Sequence, residues 1–350
     1  MDLSCPPFAV WDCWWLAPLA LALDLRFGDP DLPWRHPVCY LGNLLHTLEI
    51  PARQFMLAGG TKQEPMRGRL SGTIALTILT AVTGLLVWGL VSLPVLGTLM
   101  AVYLSWAGLA MGCLLSTGKE VLHRVEFYTE PEARNALSWL VSRETSTMDR
   151  PLMRKTLADT LSENLTDAFV APFFWLLLFG PVGLWCYKAV STTDSMWGYV
   201  TAQWRWLGWA GAKTDDILAF VPARLSIWFV RLVDILSRLY AAWNPSERPW
   251  TGHWPGVRII AQQAKGMPSP NSGWSMAACA WMCGARMAGP SVYFGVYTHK
   301  PWLGPDKANA ATWDAPRIET LCNLLRCCAL YGGLALWLTL WMVGIVTGVL

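Results

Sequence analysis

The sequence predicts an all-α, polytopic integral membrane protein with broken or re-entrant helices and with its polar loops on the cytoplasmic side. Of its 350 residues, 54% are hydrophobic and only 15% are charged, whereas soluble domains carry roughly 25% charged residues. Residues 70–118 contain no charged side chain over 49 positions, which is enough for two membrane spans of about 20 residues each. The net charge of only +3, without a basic patch, gives no support for a nucleic-acid partner.

We assign residues 1–350 to one membrane domain, built around six apolar segments. These segments are residues 8–23, 70–92, 94–115, 168–187, 217–243 and 327–350. The first segment is the weakest because Asp12 interrupts it, and Ser92-Leu93-Pro94 is the hinge between the second and third. The chain therefore predicts helices that enter the bilayer between long polar segments.

Three polar segments alternate with this apolar sequence: residues 24–69, 119–167 and 188–326. The first two flank the double span of residues 70–118, so they lie on the same side of the membrane. They contain six and seven Lys and Arg residues, respectively. The positive-inside rule therefore assigns both to the cytoplasm.

Residues 168–187 are uncharged over 20 positions, yet Gly180-Pro181 is a turn signal near their centre. We favour a broken or re-entrant hairpin here, which returns residues 188–326 to the cytoplasmic side. Irregular backbone is tolerated at this depth where protein or a cavity surrounds it. A straight span is the alternative.

One pair of carboxylates is a candidate metal site, and a second pair lies directly before an apolar run. Glu163 and Asp167 are four residues apart and share one helix face, an arrangement that suits a divalent cation bound to phosphate oxygens. A solvated helix end is the alternative. Asp215 and Asp216 precede an apolar run that we predict to be a helix, where the helix dipole explains N-terminal acids equally well.

Basic residues and a turn provide candidate anion sites. Arginines recur every seven residues, at Arg224, Arg231 and Arg238, which builds a basic stripe that fits either a binding groove or a helix at the membrane interface. Ser269-Pro270-Asn271 is predicted to open a helix that runs from Trp274 to about Ala288 and stops at Gly289-Pro290. The amides at its start suit a phosphate, and Asn271 as a simple N-cap is the alternative.

Two other sequence features have no predicted chemical role. Gly112 to Lys119 imitates a phosphate-binding P-loop, but the spacing of its glycines is wrong and Glu120 stands where Ser or Thr is required. The ten cysteines lack the paired spacing of a zinc site. We predict reduced thiols that act as small hydrophobic side chains.

A series of short motifs, in order over about residues 20–305, resembles the membrane-bound adenosylcobinamide-phosphate synthases of cobalamin biosynthesis, the CbiB/CobD family. The motifs are Gly28-Asp29-Pro30, His36-Pro37-Val38, Ser142-Arg143-Glu144-Thr145, Glu163-Asn164 with Asp167, Thr193-Asp194-Ser195, Asp215-Asp216, Pro222-Ala223-Arg224-Leu225, Ser269-Pro270-Asn271, Gly289-Pro290 with Tyr293-Phe294-Gly295, and Lys300-Pro301-Trp302-Leu303-Gly304. Departures are Glu144 in place of the usual Asp, Ala288 in place of Gly, and Met276 in place of an acidic residue.

The resemblance implies a ligase that uses ATP and Mg²⁺ to join adenosylcobyric acid to (R)-1-amino-2-propanol O-2-phosphate, or to threonine phosphate. It further implies an active site on the cytoplasmic face of a bacterial inner membrane. The protein is expected to lie in the lipid bilayer, and association into a homo-oligomer is left open. A secondary transporter and a non-catalytic membrane sensor are the alternatives.

The motif residues then receive expected roles, since a carboxylate must be activated before an amine can attack it. The metal candidates are Glu163, Asp167, Asp215 and Asp216. The catalytic candidates are Arg143, Arg224 and Lys300 as cations around phosphate, and Asp194 or His36 as the base that deprotonates the amine. The substrate-binding candidates are Asp29, Thr193, Ser269 and Asn271.

Overall fold

A computed structural model describes residues 8–30, 32–243, 250–293 and 296–347, and within them the chain is predominantly helical, as predicted. The helices are α1 (Leu16–Phe27), α2 (Pro37–Leu57), α3 (Gly60–Val91), α4 (Leu96–Gly108), α5 (Met111–Phe127), α6 (Glu130–Ser138), α7 (Arg150–Asn164), α8 (Ala171–Trp197), α9 (Trp209–Leu218), α10 (Phe220–Trp243), α11 (Val257–Ala264), α12 (Ser272–Cys283), α13 (Ala315–Cys327) and α14 (Gly333–Thr347). Two π-helical segments, π1 (Leu165–Val170) and π2 (Cys328–Gly332), join α7 to α8 and α13 to α14.

Four short strands complete the described structure. They are β1 (Met287–Ala288), β2 (Ser291–Tyr293), β3 (Val296–Thr298) and β4 (Trp302–Leu303). β1 pairs with β4 and β2 pairs with β3, both antiparallel. The Phe294-Gly295 part of the resembling motifs, Cys5 and the last three residues of the apolar segment 327–350 lie outside the described residues.

Four helical segments are long and apolar enough to cross a membrane, which confirms the prediction of a polytopic membrane protein. Among the described residues these are Gly60–Val91, Leu96–Phe127, Arg150–Trp197 and Ala315–Thr347. Predicted segments 8–23 and 217–243 are not among them, because α1 has only 12 residues and α10 carries several charged side chains. The hinge at Ser92-Leu93-Pro94 is confirmed, since α3 ends at Val91 and α4 begins at Leu96.

The chain divides into two compact units, each discontinuous in sequence. The first unit comprises Met1–Ala110, Ala171–Ala219 and Trp337–Leu350, and the second comprises Met111–Val170 and Phe220–Leu336. In the first unit, α3 packs against α2, α4, α8 and α9. In the second, α12 is buried among α7, α10, α11 and α13.

The predicted interruption within residues 168–187 is confirmed. Helix α8 contains two non-helical residues, Phe179 and Gly180, and Gly180 has φ +61° and ψ −159°. In a straight helix, residues eight positions apart are separated by about 12 Å along the helix axis. Trp175 and Gly183 are eight positions apart, yet a Cβ added to Gly183 would lie only 2.9 Å from the carbonyl oxygen of Trp175. The chain therefore changes direction sharply at this break.

The boundary between α9 and α10 differs from the predicted one. Asp215 and Asp216 lie in the last turn of α9, which begins at Trp209, and do not start the next helix. The chain at Gly208 passes so close to the carbonyl of Trp197 that only glycine fits, and α9 begins directly after this contact. Helix α9 starts before the two acids. The interpretation of Asp215 and Asp216 as residues at the N-terminus of a helix is therefore wrong.

The end predicted for α12 is also wrong. The helix stops at Cys283, because Gly284 adopts the left-handed conformation with φ +63°. Ala288 instead lies in β1 and pairs with Trp302, and Gly289 follows with φ +75° under the Trp302 ring. Gly289-Pro290 is thus a turn after a strand, and the partner strand lies too far along the chain for a local pattern to indicate it.

The two features without a predicted chemical role behave as expected. Residues 112–119 lie inside α5 and form no phosphate-binding loop. The nine cysteines among the described residues are all free thiols, and Cys279, Cys283, Cys322 and Cys328 are buried. Burial raises the pKa of Cys279 to about 12, which keeps this thiol protonated and unreactive.

Candidate functional site

A group of polar side chains in the second unit surrounds Asp159, a fully buried residue of α7. Its Oδ2 accepts hydrogen bonds from Arg143 Nη1 at 2.7 Å and from Lys155 Nζ at 2.9 Å. Its Oδ1 accepts a third bond, from the backbone N–H of Ala288 at 2.9 Å. A buried carboxylate must be compensated in this way, because the desolvation cost of an unpaired charge is several kcal/mol.

Glu163 and Lys300 belong to the same group of charges. Glu163 is half-buried and lies within electrostatic range of Lys300, Arg143 and Asp159. Lys155, in turn, is within range of Lys300. We call Arg143, Lys155, Asp159, Glu163 and Lys300 the Asp159 cluster.

The Asp159 cluster has three cations and two carboxylates, so it carries an excess positive charge. Lys155 and Arg286 also lie over the Trp302 ring, at 5.2 and 4.3 Å from its centroid. Such packing holds cationic side chains in fixed positions. Positioned cations in a water-poor environment are what an anionic phosphoryl group requires.

A second polar arrangement in this unit joins α10 to the start of α12. Arg224 Nη1 donates to Asn271 Oδ1 at 2.9 Å, and Nη2 donates to the carbonyl of Pro270 at 3.3 Å. The guanidinium lies over the rings of Phe220 and Trp274. Burial lowers the pKa of Arg224 from its usual value, although an arginine stays charged at neutral pH.

This contact revises the role of Asn271 at the helix start. Asn271 occupies the N-cap position of α12, but its side chain makes no capping hydrogen bond and binds Arg224 instead. Its backbone N–H donates to Ser269 Oγ at 3.2 Å. The structure thus brings together three predicted residues, Arg224, Ser269 and Asn271.

The other two arginines of the predicted stripe have a structural role. Arg231 and Arg238 both bind the buried carboxylate of Asp234, at 2.5 and 2.8 Å. Their charges are therefore engaged within α10. Arg224 is the member of the stripe that contacts another predicted site residue.

In the first unit, His36 occupies the start of α2. Its Nδ1 accepts a hydrogen bond from the backbone N–H of Val38 at 3.3 Å, so it is an N-cap. Burial and the charge of Lys188 lower the pKa of His36, while Asp29 and the backbone carbonyl of Ala107 act in the opposite direction. The predicted residues Asp29 and His36 therefore interact electrostatically.

Asp194 and Asp216 form the second polar pair of the first unit. They lie within electrostatic range of each other, and Lys213 Nζ approaches Asp216 Oδ2 at 3.4 Å. Neighbouring Thr193 is buried; its hydroxyl donates to the carbonyl of Ala189 and its methyl packs against the position of Gly211. The side chain of Thr193 is thus used within the fold.

The four metal candidates fall into two pairs. Glu163 and Asp167 belong to the second unit, at the end of α7 and in π1, while Asp215 and Asp216 belong to the first. Across the part of the chain that the structure describes, no three His, Cys, Asp or Glu side chains converge in a way that could hold a metal ion. Magnesium bound to ATP needs only one or two protein carboxylates, since phosphates and water supply its other ligands.

Sequence reasoning missed Asp159 and Lys155. The signal was present, because Lys155, Asp159 and Glu163 recur every four residues and so line one face of α7. The bond from Ala288, 129 positions further along the chain, carried no such signal.

The fold and these polar arrangements define a polytopic membrane protein with a buried cluster of paired charges around Asp159. A family model described as CobD/Cbib protein matches residues 17–324. The chain therefore belongs to the CobD/CbiB family, and the resemblance seen in its motifs is confirmed.

Curated relatives agree with this assignment. The cobalamin biosynthesis protein CobD of Photorhabdus laumondii is 32% identical over 314 residues, covering 86% of this chain and 90% of the relative. CobD of Pelobacter propionicus is 37% identical over 288 residues, covering 82% and 83%. The cobalamin biosynthesis protein CbiB of Salmonella typhimurium is 31% identical over 304 residues, covering 85% and 89%. No solved structure matches the chain.

Proposed function

We propose that this protein is an adenosylcobinamide-phosphate synthase, a membrane-bound ligase that uses ATP to join adenosylcobyric acid to (R)-1-amino-2-propanol O-2-phosphate. Membership of the CobD/CbiB family supports a role in cobalamin biosynthesis. The observation that carries the ligase proposal is the Asp159 cluster, in which Arg143, Lys155 and Lys300 are grouped around two carboxylates.

Amide formation from a carboxylate needs an activated acyl group. In the proposed reaction, a carboxylate oxygen of the corrinoid attacks the γ-phosphorus of ATP, which gives an acyl phosphate and releases ADP. Cations stabilise the charge that spreads over the transferring phosphoryl oxygens. Arg143 and Lys300 are the proposed cations, and Asp159 holds Arg143 in position.

The amine then attacks the acyl carbon, and inorganic phosphate leaves. Aminopropanol phosphate carries its own phosphate, for which we propose Arg224 and the amides that follow Asn271, because a helix N-terminus and a guanidinium both favour an anion. Threonine phosphate presents the same phosphate and would use the same contacts. The protonated amine must lose a proton before attack, and His36 or Asp194 is the proposed base.

Glu163 and Asp167 of the second unit are the residues proposed to hold Mg²⁺ on the nucleotide, and Asp215 and Asp216 of the first unit are a separate candidate pair. The ion would neutralise phosphate charge. The chemistry of this donor set fits the metal, since magnesium prefers carboxylate oxygens. The carboxamide variant Glu163→Gln should lower activity most at limiting Mg²⁺ and recover part of it at high Mg²⁺, whereas loss of folded protein would indicate a structural role.

The direct test is to incubate the purified protein in lipid nanodiscs with adenosylcobyric acid, aminopropanol phosphate and Mg-ATP. We expect the amidated corrinoid and one ADP for each amide formed, and, when the amine is omitted, no amide and no more than one ADP for each active site. Lys300→Gln should lower kcat roughly 100-fold, the scale of losing one group that stabilises transition-state charge. Lys307→Gln is the matched control, because Lys307 is an exposed lysine outside the Asp159 cluster.

The two alternatives predict different results. A secondary transporter would move a corrinoid into sealed proteoliposomes without forming an amide or consuming ATP. A non-catalytic sensor would bind a corrinoid with no turnover. Either outcome, obtained with folded protein, would overturn the ligase proposal.

A further inference from the structure

A large apolar groove runs along α3 in the first unit; its lining includes none of the predicted site residues, although Lys213 at its edge lies 3.4 Å from Oδ2 of the metal candidate Asp216. Its volume is about 1040 Å³, and its walls come from α3, α8 and α9. Leu76, Ala81, Trp88, Val190 and Trp209 are among the residues that line it. A cavity of this size accommodates an elongated hydrocarbon chain.

The groove lies on segments that can cross the membrane. Its α3 wall belongs to the candidate span Gly60–Val91, and its α8 wall belongs to Arg150–Trp197. With these two segments across a bilayer, the α3 and α8 walls of the groove face hydrocarbon. An occupant must therefore come from the lipid phase.

The groove offers few groups to a polar ligand. Thr214 and Thr80 line it, and the buried Thr80 hydroxyl has no hydrogen-bond partner among the described residues. Thr73 and Thr77 line it as well, but their hydroxyls donate to the carbonyls of Arg69 and Thr73 in their own helix. These internal bonds satisfy the hydroxyl protons without a ligand. The lining thus favours an acyl chain over a substrate with hydrogen-bonding groups.

The rim at one end of the groove is cationic and aromatic. Arg69, exposed near the start of α3, lies over the rings of Trp206 and Trp209, 5.2 Å from each centroid. Trp209 also lines the groove, so the rim and the groove are continuous. Lys213 lines the groove as well, and 61% of its side chain is exposed.

We propose that this groove binds one anionic glycerophospholipid, with an acyl chain between α3 and α8 and its phosphate at Arg69 and Lys213. Tryptophan and arginine at the membrane interface are typical of head-group contacts, and each Lys or Arg adds about 1 kcal/mol of attraction to an anionic lipid surface. A zwitterionic lipid would lose much of this attraction. The proposal does not depend on the ligase reaction.

The test uses spin-labelled phosphatidylglycerol in nanodiscs made of phosphatidylethanolamine, with the full-length protein. We expect a motionally restricted lipid population that unlabelled phosphatidylglycerol displaces. Arg69→Gln and Lys213→Gln should each weaken its affinity about fivefold, which corresponds to about 1 kcal/mol. Ala81→Trp should abolish the restricted population, because the indole fills the groove.

Matched variants control for general effects on the membrane domain. Ile78→Trp adds the same indole to an exposed position of α3 outside the groove lining, and Arg67→Gln removes a cation that lies over Phe55 instead of the rim tryptophans. Both should retain wild-type lipid affinity. Equal retention of phosphatidylethanolamine, unchanged binding in folded Ala81→Trp, or equal losses in the control and rim variants would overturn the proposal.

Discussion

Asp159 receives three hydrogen bonds from three separate parts of the second unit, and two of their donors are cations. Its carboxylate therefore links the loop before α7, the helix itself and strand β1. Removing one partner of such a buried arrangement is costly, because the other charges stay buried without compensation. We therefore expect Asp159 to contribute to the stability of the fold whether or not it takes part in the reaction.

We expect Asp159→Ala to lower the free energy of unfolding by about 3 kcal/mol. The physical reason is that Arg143 and Lys155 would remain buried beside no carboxylate. Thermal unfolding in detergent, followed by circular dichroism, measures the effect. Glu144→Gln should leave the unfolding midpoint unchanged, and an unchanged midpoint in Asp159→Ala would contradict this account.

Arg224 and Asn271 should act as one unit on the amine substrate. Asn271→Ala and Arg224→Gln should each raise the KM for aminopropanol phosphate about tenfold, the scale of a lost charge-assisted contact, with little change in the KM for ATP. Because Asn271 contacts Arg224, the double variant should be little worse than either single variant. Additive effects, or equal effects on the two KM values, would show that the pair does not bind this phosphate.

His36 should make stability depend on pH in the acid range. Its folded-state pKa lies below the unfolded value of about 6.5, so the unfolded chain binds the proton more tightly. Stability is then unaffected above this value and falls as the pH decreases through it toward the folded pKa. Unfolding midpoints recorded between pH 7 and pH 5 should decline less for His36→Gln than for the wild type, while the exposed His299→Gln should follow the wild type.

At the scale of single elements, the break in α8 rests on one glycine. Gly180 has φ +61° and ψ −159°, a conformation that residues with a Cβ rarely adopt. Strain of this kind costs roughly 1 to 3 kcal/mol. The sharp change of direction in α8 therefore requires glycine at this position.

Gly180→Ala should lower the unfolding midpoint in detergent, because the added Cβ opposes the backbone conformation. Gly89→Ala is the matched control, since Gly89 lies within α3 with nothing within 4 Å of an added Cβ. That variant should be neutral or slightly stabilising. A Gly180→Ala protein as stable as the wild type would mean that the break does not depend on the left-handed conformation.

Elements defined by local signals were predictable, and those defined by distant partners were not. The hinge between α3 and α4 follows from Ser92-Leu93-Pro94, and the break in α8 follows from Gly180-Pro181. The pairing of Ala288 with Trp302 was missed because it depends on tertiary contact. The start of α9 was missed for a similar reason, since it follows a close approach between Gly208 and Trp197.

The candidate site was predictable to the same extent. Motif order identified residues such as Arg143, Glu163 and Lys300, which the structure groups together. It did not identify Asp159, whose importance comes from hydrogen bonds across the fold. It also could not show that Asn271 binds Arg224 instead of capping its helix.

At the scale of the whole molecule, the length of one helical segment bears on membrane topology. Arg150–Trp197 contains 48 residues, which would extend about 72 Å as a straight helix. The hydrocarbon core is only about 30 Å thick. The sharp turn at Phe179 and Gly180 divides this length and is compatible with a segment that enters the membrane and returns.

We therefore expect the polar ends of this segment to face the cytoplasm, where ATP is present. Single cysteines at Ser146, Ser195 and Gln262, all exposed positions, should resist a membrane-impermeant thiol reagent in intact cells, in a background whose native cysteines are replaced by Ala. Val95, in the turn between α3 and α4, is 89% exposed and should be labelled from outside, because the cation-rich segments that flank these two spans lie inside by the positive-inside rule. All four cysteines should react after lysis, which confirms that each is accessible.

The decisive comparison is between Ser146 and Ser195, which lie on either side of the interrupted segment. If the chain returns at Gly180-Pro181, both cysteines are protected in intact cells and labelled only after lysis. If the segment crosses once, Ser195 is labelled from outside while Ser146 is not, and Asp194 would then face away from cytoplasmic ATP. That outcome would remove from the proposed chemistry Asp194 and every other residue of 188–326 that lies on the same side of the membrane, and would leave His36 as the proposed base.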